Sequence, residues 1–391
     1  MNGLFRSTIL WLPCYIAMQF PTQYDAVISK IDQLDPVEYG RTRNYLSGQV
    51  TRLSPYISRG VISVRQVLDQ VLARGYDPKE ISAFIKELAW REYFQRTWQV
   101  LGDDLFDDIR VSRNHITRKQ MPAALATANT GIEAIDNGIQ ELINTGYMHN
   151  HLRMYVASIA CNIGHSHWPE AAKWMYYHLL DGDIASNTCS WQWVSGHFST
   201  RPYYCNQENI NKFTGSRQTG GFLDTTYEAL PSLDIPDVLL QGITPQLDTK
   251  LPETSVPELD PALPLLIYNS YNLDPEWRKE VNANRVLLLE PSHFREFPVS
   301  EKVIRFILDL SRNIPGIRVY TGELHQLTQS DKFPMIFSKE HPAFNYYPGT
   351  KDQRDWIFPD TGKFHPSFFQ FWRQQEKRIR NKPVIPLLKT A

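Results

Sequence analysis

The stretch from Tyr177 to Trp193, YHLLDGDIASNTCSWQW, places two carboxylates and two indoles within a few residues of one another. Asp181 and Asp183 can accept hydrogen bonds, and the two tryptophans offer flat apolar rings on which a planar ligand can stack. A solvated loop would account for the aspartates, but it would give no reason for two tryptophans one residue apart. The segment is therefore a candidate for ligand binding.

A second candidate is ELAWREYF, in which Glu87 and Trp90 lie three residues apart. At that spacing both side chains project from the same face of a helix. A buried carboxylate is costly unless a polar partner docks against it, so the pair suits a polar ligand. The alternative is a surface carboxylate beside a core tryptophan.

A third candidate is the run Thr51, Arg52, Leu53 and Ser54, where the chain is expected to turn into a new helix. Backbone N–H groups and the positive end of a helix dipole favour an anion such as a diphosphate, and the hydroxyls and the guanidinium add donors. Taken alone, the run is better explained as a helix cap.

Hydrophobic periodicity predicts the elements that must position these residues. Helical spacing occurs in VISVRQVLDQVLARG, PKEISAFIKELAWREYFQRTWQVLG, GIEAIDNGIQELINTG and HLRMYVASIACNIG. Beyond a proline-rich stretch, LPLLIYN, PEWRKEV, RVLLLEP, SEKVIRFILDLSRNI and IRVYTGE predict strand, helix, strand, helix and strand, which is typical of a parallel α/β unit. FHPSFFQFWRQQEKRIRNK predicts a closing helix with a solvated basic face.

We therefore predict a mainly α protein with two domains that have separate cores, as expected for a chain of 391 residues. The predicted parts are an N-terminal extension at 1–21, a helical domain at 22–225, a proline-rich linker at 226–262 wrapped along the surface, and a smaller Rossmann-like α/β domain with a parallel sheet at 263–391. Near the N-terminus, TILWLPCYIAM is apolar, but Pro13 and the lack of a small-residue cleavage site predict a packed or frayed segment rather than a signal peptide.

Charge and cysteine usage exclude several classes of protein. The net charge is −1, so any nucleic-acid binding must come from a local patch of lysine and arginine. Cys14, Cys161, Cys189 and Cys205 form no CxxC pair and have no histidines at zinc spacing, which predicts no metal site, no disulfide framework and a cytoplasmic setting. No stretch of the sequence reaches the roughly 18 consecutive apolar residues that a membrane span needs. The protein is expected to be a monomer.

Taken together, the motifs resemble one protein family. YGRTRNYLSGQVTRLSPYISRGVISVRQV, ELAWREYF, TGYMHNHLRMYVAS and LLDGDIASNTCSWQW are similar to the flavin domain of DNA photolyases and cryptochromes, in that family's order. The resemblance covers roughly residues 24 to 204 and is closest to class I-like photolyases of cyclobutane pyrimidine dimers. It implies a helical domain that binds flavin adenine dinucleotide (FAD) and a light-driven lyase that acts on UV-damaged DNA.

The resemblance also implies a role for each candidate residue. FAD would be held by Tyr39, Val50, Thr51, Arg52, Leu53, Ser54, Arg91, Arg153, Asp181, Gly182, Asp183 and Asn187. The lesion would be bound by Glu87, Trp90, Asn150, His151, Met154 and Trp193, and catalysis would use Glu87, Asn187, Trp191 and Trp168. Arg153 is expected to pair with Asp181, which is more often a structural arrangement but would also place positive charge near a reduced flavin. Arg91 would face either the cofactor or a structural carboxylate.

Three of these roles carry the implied chemistry. Asn187 would face the reactive N5 atom of the flavin ring, where plant-type cryptochromes place Asp and many animal cryptochromes place Cys. Trp191 would donate an electron to the flavin with Trp168 next in the relay, while Trp193 would stack on a lesion flipped out of the DNA. In the implied mechanism, excited reduced flavin passes an electron to the dimer, the dimer splits and the electron returns.

Several departures from the family pattern leave alternatives open. Residues 99–167 contain no tryptophan to complete the relay, and His151 and Cys205 stand where the family commonly has arginines. His151 would supply proton chemistry, as in photolyases for six-four lesions, or serve a structural role. The α/β unit follows the flavin domain instead of preceding it, so it is interpreted as a transposed antenna-like domain, and no glycine-rich fingerprint identifies a second chromophore.

The leading hypothesis is repair of pyrimidine dimers. The first alternative is a cryptochrome-like blue-light photoreceptor without repair activity, which the two missing arginines favour and the retained dimer pocket opposes. The second alternative is a helical protein with an α/β appendage and no flavin, which four motifs in the family's order make a poor explanation.

Overall fold

The computed structural model describes residues 20–111, 116–328, 333–359 and 362–380. TILWLPCYIAM, Cys14 and all but the last two residues of the expected N-terminal extension lie outside the described residues. The described chain is mainly helical and has a smaller parallel α/β part near its C-terminus, which confirms the predicted fold class. No helix among the described residues is both long enough and apolar enough to cross a membrane.

The four segments with helical spacing all form helices. In chain order the helices before residue 245 are α1 (Tyr24–Asp32), α2 (Pro36–Thr42), α3 (Ser54–Ser58), α4 (Val64–Ala73), α5 (Ser82–Leu101), α6 (Ala123–Ala126), α7 (Glu133–Thr145), α8 (Asn150–Ser158), α9 (Trp168–His178), α10 (Ile184–Ser195), α11 (Gln207–Thr214) and α12 (Asp237–Leu240). A 3₁₀ turn at Gly102–Phe106 follows α5, and a π-helical turn at Ile159–Ile163 continues α8.

Local chemistry fixes where the motif-bearing helices begin and end. Asp183 precedes α10, and its carboxylate accepts the backbone N–H of Ser186 at 2.8 Å. His149 precedes α8, and its Nδ1 accepts the backbone N–H of His151 at 3.1 Å. At the other end of α10, Gly196 adopts a φ of 85°, which glycine tolerates without a steric penalty. The capping residues therefore also place Asn187 in the first turns of α10 and Asn150 at the start of α8.

In the part of the chain that the structure describes, five parallel strands form the sheet of the α/β part. They are β3 (Leu265–Tyr268), β4 (Asn284–Leu289), β5 (Ile317–Thr321), β6 (Ile336–Lys339) and β7 (Thr350–Asp352), in the order β5-β4-β3-β6-β7. Helices α13 (Pro291–Glu296) and α14 (Glu301–Ser311) connect β4 to β5, α15 (Leu324–Thr328) precedes β6, and α16 (Phe368–Arg380) ends the described chain. All of β3 is buried, as expected for the central strand of a parallel sheet. A separate antiparallel pair joins β1 (Met121–Pro122) to β2 (Gly242–Ile243).

The helix predicted for PEWRKEV is wrong, because this segment forms turns between β3 and β4. Arg278 adopts a left-handed φ of 50°, which no α-helix accommodates. Its guanidinium is held by Asp352 through bonds of 2.6 and 2.8 Å, and Trp277 donates its indole N–H to the same carboxylate at 2.8 Å. These contacts to β7 outweigh the local helical pattern.

The closing helix is confirmed, and its two faces differ sharply. Phe368, Phe371, Trp372, Gln375 and Ile379 are buried at helical spacing, which matches one face packed against the protein. The remaining face exposes the basic residues Arg373, Lys377 and Arg378. The predicted solvated basic face is therefore present on this helix.

Buried apolar residues form two clusters that do not follow the predicted domain boundaries. Among the described residues, one cluster combines residues 20–106 and several residues of α9 and α10 with the α/β part, while the other contains most of the buried apolar residues between 121 and 239. The expectation of a separate core for each domain is therefore wrong, since the first helices share their core with the sheet. The boundaries at 22–225, 226–262 and 263–391 stay predictions.

The proline-rich stretch is anchored at its start instead of lying wholly on the surface. Leu230 and Leu239 are 1% and 0% exposed and belong to the second apolar cluster. The β1–β2 pair fixes the chain again at Gly242–Ile243. Residues 244–262 contain no helix or strand, as the density of prolines predicts.

Polar contacts also join the helices to the α/β part. Arg59 is 1% exposed and donates to the backbone oxygens of Leu180 at 3.0 Å and Ser270 at 3.5 Å. Glu92 on α5 is 1% exposed and accepts the backbone N–H groups of Ile357 at 2.7 Å and Phe358 at 2.9 Å. Burial outweighs these bonds and raises the pKa of Glu92 from 4.5 to about 7.

We expect Glu92→Gln to change how stability depends on pH. Because the folded pKa of Glu92 lies above its unfolded value, this group stabilises the fold fully below about pH 4.5 and loses that contribution as pH rises through about 7. Urea unfolding across this range should show the wild type losing free energy of unfolding relative to Glu92→Gln. Glu80→Gln, at an exposed position, should track the wild type. A difference between wild type and Glu92→Gln that stays constant with pH would contradict the assignment.

Candidate functional site

A cavity of about 580 Å³ lies among α2, α3, α5, α8 and α10. Its volume falls within the range of small-molecule and cofactor sites. The predicted site residues that line it are Tyr39, Val50, Thr51, Arg52, Ser54, Glu87, Trp90, Arg91, Asn150, His151, Arg153, Met154, Asp181, Asp183, Asn187, Trp191 and Trp193. Four segments that are far apart in the sequence therefore converge on one cavity.

Three predicted residues do not line the cavity. Leu53 is 1% exposed and immediately precedes α3. Gly182 is buried, and a Cβ atom there would come within 3.1 Å of the carbonyl oxygens of Leu179 and Tyr176, which is closer than an ordinary van der Waals contact. Trp168 begins α9 and is buried in the second apolar cluster together with Trp191.

The run at Thr51 is not a side-chain cap of α3. Leu53 is the residue that precedes the helix, and no side chain caps its first turn. Thr51 instead accepts the backbone N–H of Leu53 at 3.2 Å, and Arg52 has a left-handed φ of 51°. The strained backbone turns this short run into part of the cavity wall.

The predicted pairing of Arg153 with Asp181 is confirmed. Arg153 Nη2 lies 2.9 Å from Asp181 Oδ2, and the carboxylate side chain is only 4% exposed. Arg153 also donates through Nε to the backbone oxygen of Met148 at 2.8 Å, which fixes the guanidinium. The pair forms a buried, oriented part of the cavity wall.

Arg91 lines the cavity and also pairs with a buried carboxylate, so each predicted alternative describes part of its surroundings. Its Nη2 lies 3.0 Å from Asp183 Oδ2, and Gln95 donates its side-chain amide to both oxygens of Asp183 at 2.7 and 2.6 Å. Burial acts to raise the pKa of Asp183, but Arg91 and the Ser186 N–H hold it below the ordinary value. Asp183 is therefore a buried anion at the start of α10.

The α/β part supports Asp183 through a chain of contacts. The side-chain oxygen of Gln95 accepts a hydrogen bond from Arg354, which in turn pairs with Glu340 at 2.9 Å. Arg354 and Glu340 lie beyond β6, more than two hundred residues from Gln95 in sequence. The carboxylate at the cavity is thus held by residues from both halves of the protein.

Glu87 and Trp90 each have a partner that fixes their orientation. Arg43 Nε lies 3.1 Å from Glu87 Oε1, and about a third of each side chain is exposed. Burial raises the pKa of Glu87, and Arg43 partly opposes that rise. Trp90 stacks on Phe368 of α16, with ring centroids 3.8 Å apart and planes 12° apart. Glu87 is therefore not a free surface carboxylate, and Trp90 is not a fully buried core tryptophan.

Trp191 and Trp193 differ in exposure. Trp191 is 2% exposed and belongs to the second apolar cluster. Trp193 is partly exposed and tilts against Tyr203, with ring centroids 5.9 Å apart. Asn187, one turn earlier on α10, donates its side-chain amide to the backbone oxygen of Ala172 at 3.0 Å.

Some cavity residues were missed in the sequence. Arg43 follows Tyr39 by four residues. Residues at this spacing lie on the same face of a helix, so the spacing could have predicted that Arg43 lies beside Tyr39. His149 lies inside the motif MHNHLRM, and burial, together with His151 and Arg153, lowers its pKa to about 4. His149 is therefore neutral near pH 7 and cannot supply a positive charge.

His151 packs as an aromatic ring. Its ring lies 4.7 Å from that of Phe213 and 4.9 Å from that of Tyr155. Burial and the nearby Arg43 lower its pKa, so His151 is neutral at pH 7 and does not replace the charge of an arginine. Cys205, at the second departure from the family pattern, is fully buried and uncharged.

The cavity wall has unsatisfied polar atoms that a ligand would satisfy. Across the described residues, buried side-chain atoms without a hydrogen-bond partner include Arg52 Nε, His149 Nε2, His151 Nε2, Asp181 Oδ1 and Ser186 Oγ, all on the cavity wall. Proteins rarely leave such groups unpaired, so a polar ligand is expected here.

The charges on the wall favour an anionic ligand. Arg43, Arg91 and Arg153 are each paired with a carboxylate, whereas Arg52 has no carboxylate within 4.0 Å among the residues that the structure describes. One positive charge is thus left for a ligand such as a diphosphate. Together with the stacking surfaces and the unpaired acceptors, this donor set fits FAD.

Comparison with known proteins identifies this region. Residues 84–221 match the model of the FAD binding domain of DNA photolyase. The chain is similar to a deoxyribodipyrimidine photo-lyase of Streptomyces griseus (31% identity, covering 42% of this chain and 36% of the relative) and to a chloroplastic/mitochondrial cryptochrome DASH of Ostreococcus tauri (32% identity, covering 46% and 33%). A Synechocystis sp. cryptochrome structure aligns with a TM-score of 0.45 at 24% identity, covering 50% of this chain and 44% of that one.

The matched segment thus spans about a third of the length of these curated relatives. It contains Glu87, Asn150, Asp181 and Trp191, which the structure places on the wall of one cavity. Residues 84–221 thus match the FAD-binding domain of DNA photolyase, and over this segment the chain is similar to members of the DNA photolyase and cryptochrome family.

Proposed function

We propose that this protein is a light-driven, FAD-dependent DNA repair enzyme that splits UV-induced pyrimidine dimers. One observation carries the proposal: the cavity with unsatisfied polar atoms also exposes the carboxylate and ring groups that would contact a dimer. Those groups belong to Glu87, Trp90 and Trp193, and the amide of Asn150 and the thioether of Met154 line the same cavity. Curated relatives named deoxyribodipyrimidine photo-lyase lend further support.

The residues that would hold FAD divide by chemistry. Thr51, Arg52 and Ser54 supply hydroxyls and an unpaired guanidinium for the diphosphate. Asp181, with one free carboxylate oxygen, and Asn187 would bind polar atoms of the ring system. When bound, FAD absorbs the light and supplies the electron for dimer splitting.

The protein's own contribution is to orient and enclose the dimer. Glu87 would hydrogen-bond the dimer, with Arg43 fixing the direction of its carboxylate. Trp90, held flat by Phe368, and Trp193, supported by Tyr203, would pack against its apolar faces. These groups would replace water around a dimer that has left the DNA stack.

A cryptochrome-like photoreceptor without repair activity is the second candidate. It is favoured by the absence of positive charge at His151 and Cys205, because weaker attraction for the phosphates of DNA would lower lesion affinity. The similarity to a cryptochrome DASH is in line with this candidate. It shares the flavin and differs only in whether a dimer is bound and split.

Three further assignments remain proposals. We propose a cytoplasmic setting, which the buried free thiols of Cys161, Cys189 and Cys205 support. We also propose domains at 22–225 and 263–391 joined by a linker at 226–262. The α/β part is then a transposed antenna-like domain with an unknown second chromophore.

A repair assay tests the function directly. Purified, chemically reduced protein would be mixed with a dimer-containing oligonucleotide under blue light and in the dark, and the flavin spectrum of the same sample recorded. Light-dependent loss of dimers is expected. Bound flavin with intact dimers would favour the photoreceptor, and a second substrate with six-four lesions would separate a changed lesion range from absent repair.

We expect Asn187→Asp to change the flavin redox state that accumulates under blue light. A carboxylate at this position can exchange a proton with the ring, whereas the amide cannot. The measurement is the absorption spectrum of the purified flavoprotein during illumination. Asn129→Asp, at an exposed turn, should behave as the wild type. Spectra of Asn187→Asp that match the wild type throughout would remove the assigned role.

A further inference from the structure

Asp108, His167 and His197 converge at a point that the proposed flavin chemistry does not use. His167 Nε2 lies 2.9 Å from Asp108 Oδ1, and His197 Nε2 lies 3.6 Å from Asp108 Oδ2. One ligand atom from each residue falls within 4.8 Å of the other two. The three residues come from separate segments: the loop after the 3₁₀ turn, the residue before α9 and the residues after α10.

These separations match those of atoms that share one metal ion. Zinc binds imidazole nitrogen and carboxylate oxygen at about 2.1 Å, so two ligand atoms at a tetrahedral angle lie about 3.4 Å apart. The observed 2.9 Å to Asp108 Oδ1, which is also a hydrogen-bond distance, and 3.6 Å to Asp108 Oδ2 fall on either side of that value. The 3.6 Å gap is also longer than a hydrogen bond, so His197 Nε2 faces Asp108 without a direct hydrogen bond to it.

The surroundings orient the ligands as metal sites require. His197 is 2% exposed, and its Nδ1 lies 2.8 Å from Ser195 Oγ, which fixes the ring and directs Nε2 toward Asp108. The side chains of Asp108 and His167 are 40% and 28% exposed, which leaves a path for an ion and for water. Two imidazoles and one carboxylate are a ligand set that suits first-row transition metals.

We propose that Asp108, His167 and His197 bind a divalent transition-metal ion of the Zn²⁺ class, with a fourth coordination position open to solvent. The alternative is a hydrogen-bonded triad that holds no ion. The earlier expectation of no metal rested on cysteine and histidine spacing along the chain. The ligands of a site assembled from three distant segments have no characteristic spacing in the sequence. This proposal is independent of the flavin and of DNA repair.

Cobalt titration of the whole, flavin-loaded protein tests the site. One equivalent of Co²⁺ is expected to bind, detected by isothermal titration calorimetry, and to be displaced by Zn²⁺. Asp108→Asn keeps the shape but weakens the ligand, and His167→Gln removes one ligand, so each should weaken Co²⁺ binding at least about 100-fold. Both positions are partly exposed and should tolerate these changes. Asp107→Asn is the same substitution at the neighbouring residue and serves as the matched control, so this variant should bind Co²⁺ as the wild type does.

Tryptophan emission gives a second readout that locates the ion. Trp168 donates its indole N–H to Asp108 Oδ1 at 2.9 Å, so a paramagnetic ion on Asp108 should quench part of the emission. Trp168→Phe should lose this part of the response while still binding Co²⁺ in the calorimeter. Absent Co²⁺ binding, or equal binding by wild type, Asp108→Asn and His167→Gln, would overturn the site and leave a hydrogen-bonded triad.

Discussion

Asp183→Asn is expected to lower the free energy of unfolding by about 3–5 kcal/mol, the range found when one partner of a buried ion pair is removed. Asp183 is 3% exposed and accepts bonds from Arg91, Gln95 and the N–H of Ser186. An asparagine leaves the guanidinium of Arg91 without its counter-charge. It also replaces one of the two carboxylate oxygens, which accept hydrogen bonds, with an NH₂ group, which only donates. We expect the variant to retain less FAD as well, because Arg91, which lines the cavity, loses the carboxylate that orients it.

Chemical denaturation followed by circular dichroism measures this loss. Glu301→Gln is the matched control, since Glu301 pairs with Arg305 at 3.1 Å on an exposed face. An exposed pair of this kind contributes at most about 1 kcal/mol, so the control should remain near the wild type. Equal small effects of both substitutions would show that the buried network around Asp183 is not what stabilises this region.

The same variant has a defined pH dependence. The pKa of Asp183 is lower in the folded protein than its ordinary value of 3.8. Its contribution to stability is therefore present above about pH 3.8 and is lost as pH falls through the folded pKa. The stability difference between wild type and Asp183→Asn should thus be full at neutral pH and shrink in acid. A difference that grows on acidification would contradict the depressed pKa.

Glu87→Ala is expected to reduce dimer turnover by about 10- to 100-fold while leaving bound FAD unchanged. The estimate follows from a hydrogen bond to a charged group, about 1.5–3 kcal/mol, at 1.4 kcal/mol for each factor of ten. Glu87 lines the cavity and is paired with Arg43, so its removal takes away the oriented acceptor without opening the hydrophobic core. Turnover under blue light with reduced protein is the measurement, and the flavin spectrum of the same sample reports FAD.

Two further variants separate the role of Glu87 from a loss of structure. Glu87→Gln keeps the size of the side chain and should fall between the wild type and Glu87→Ala. Glu80→Ala, at an exposed site just before α5, should keep full turnover. Unchanged turnover in Glu87→Ala, with light-dependent repair established for the wild type, would remove Glu87 from the dimer site but leave the FAD site untouched.

The α/β part is structurally tied to the flavin cavity. Arg354 reaches Asp183 through Gln95, Phe368 stacks on Trp90, and the sheet shares an apolar cluster with the first helices. Removing residues beyond 263 would therefore expose part of the shared core. These contacts explain why the cavity lies where elements from both halves of the chain meet.

Much of the fold and most of the cavity wall follow from local sequence. Helices such as α5 and α14 have apolar residues at helical spacing. Because amphipathic faces depend on neighbours within a few residues, the sequence predicts them directly. The prediction that four motifs share one cavity came from the family resemblance. The local pattern of apolar and polar residues does not predict which distant segments are in contact.

The sequence by itself thus determined the helical and α/β character, the motif residues of the flavin cavity and the pairing of Arg153 with Asp181. Only the tertiary structure decided that PEWRKEV forms turns, that the first helices share a core with the sheet, and that Arg43 orients Glu87. It also brought Asp108, His167 and His197 together. The physical reason is that these outcomes depend on contacts between positions distant in the chain. Such contacts form only once helices and strands pack, and no local spacing encodes them.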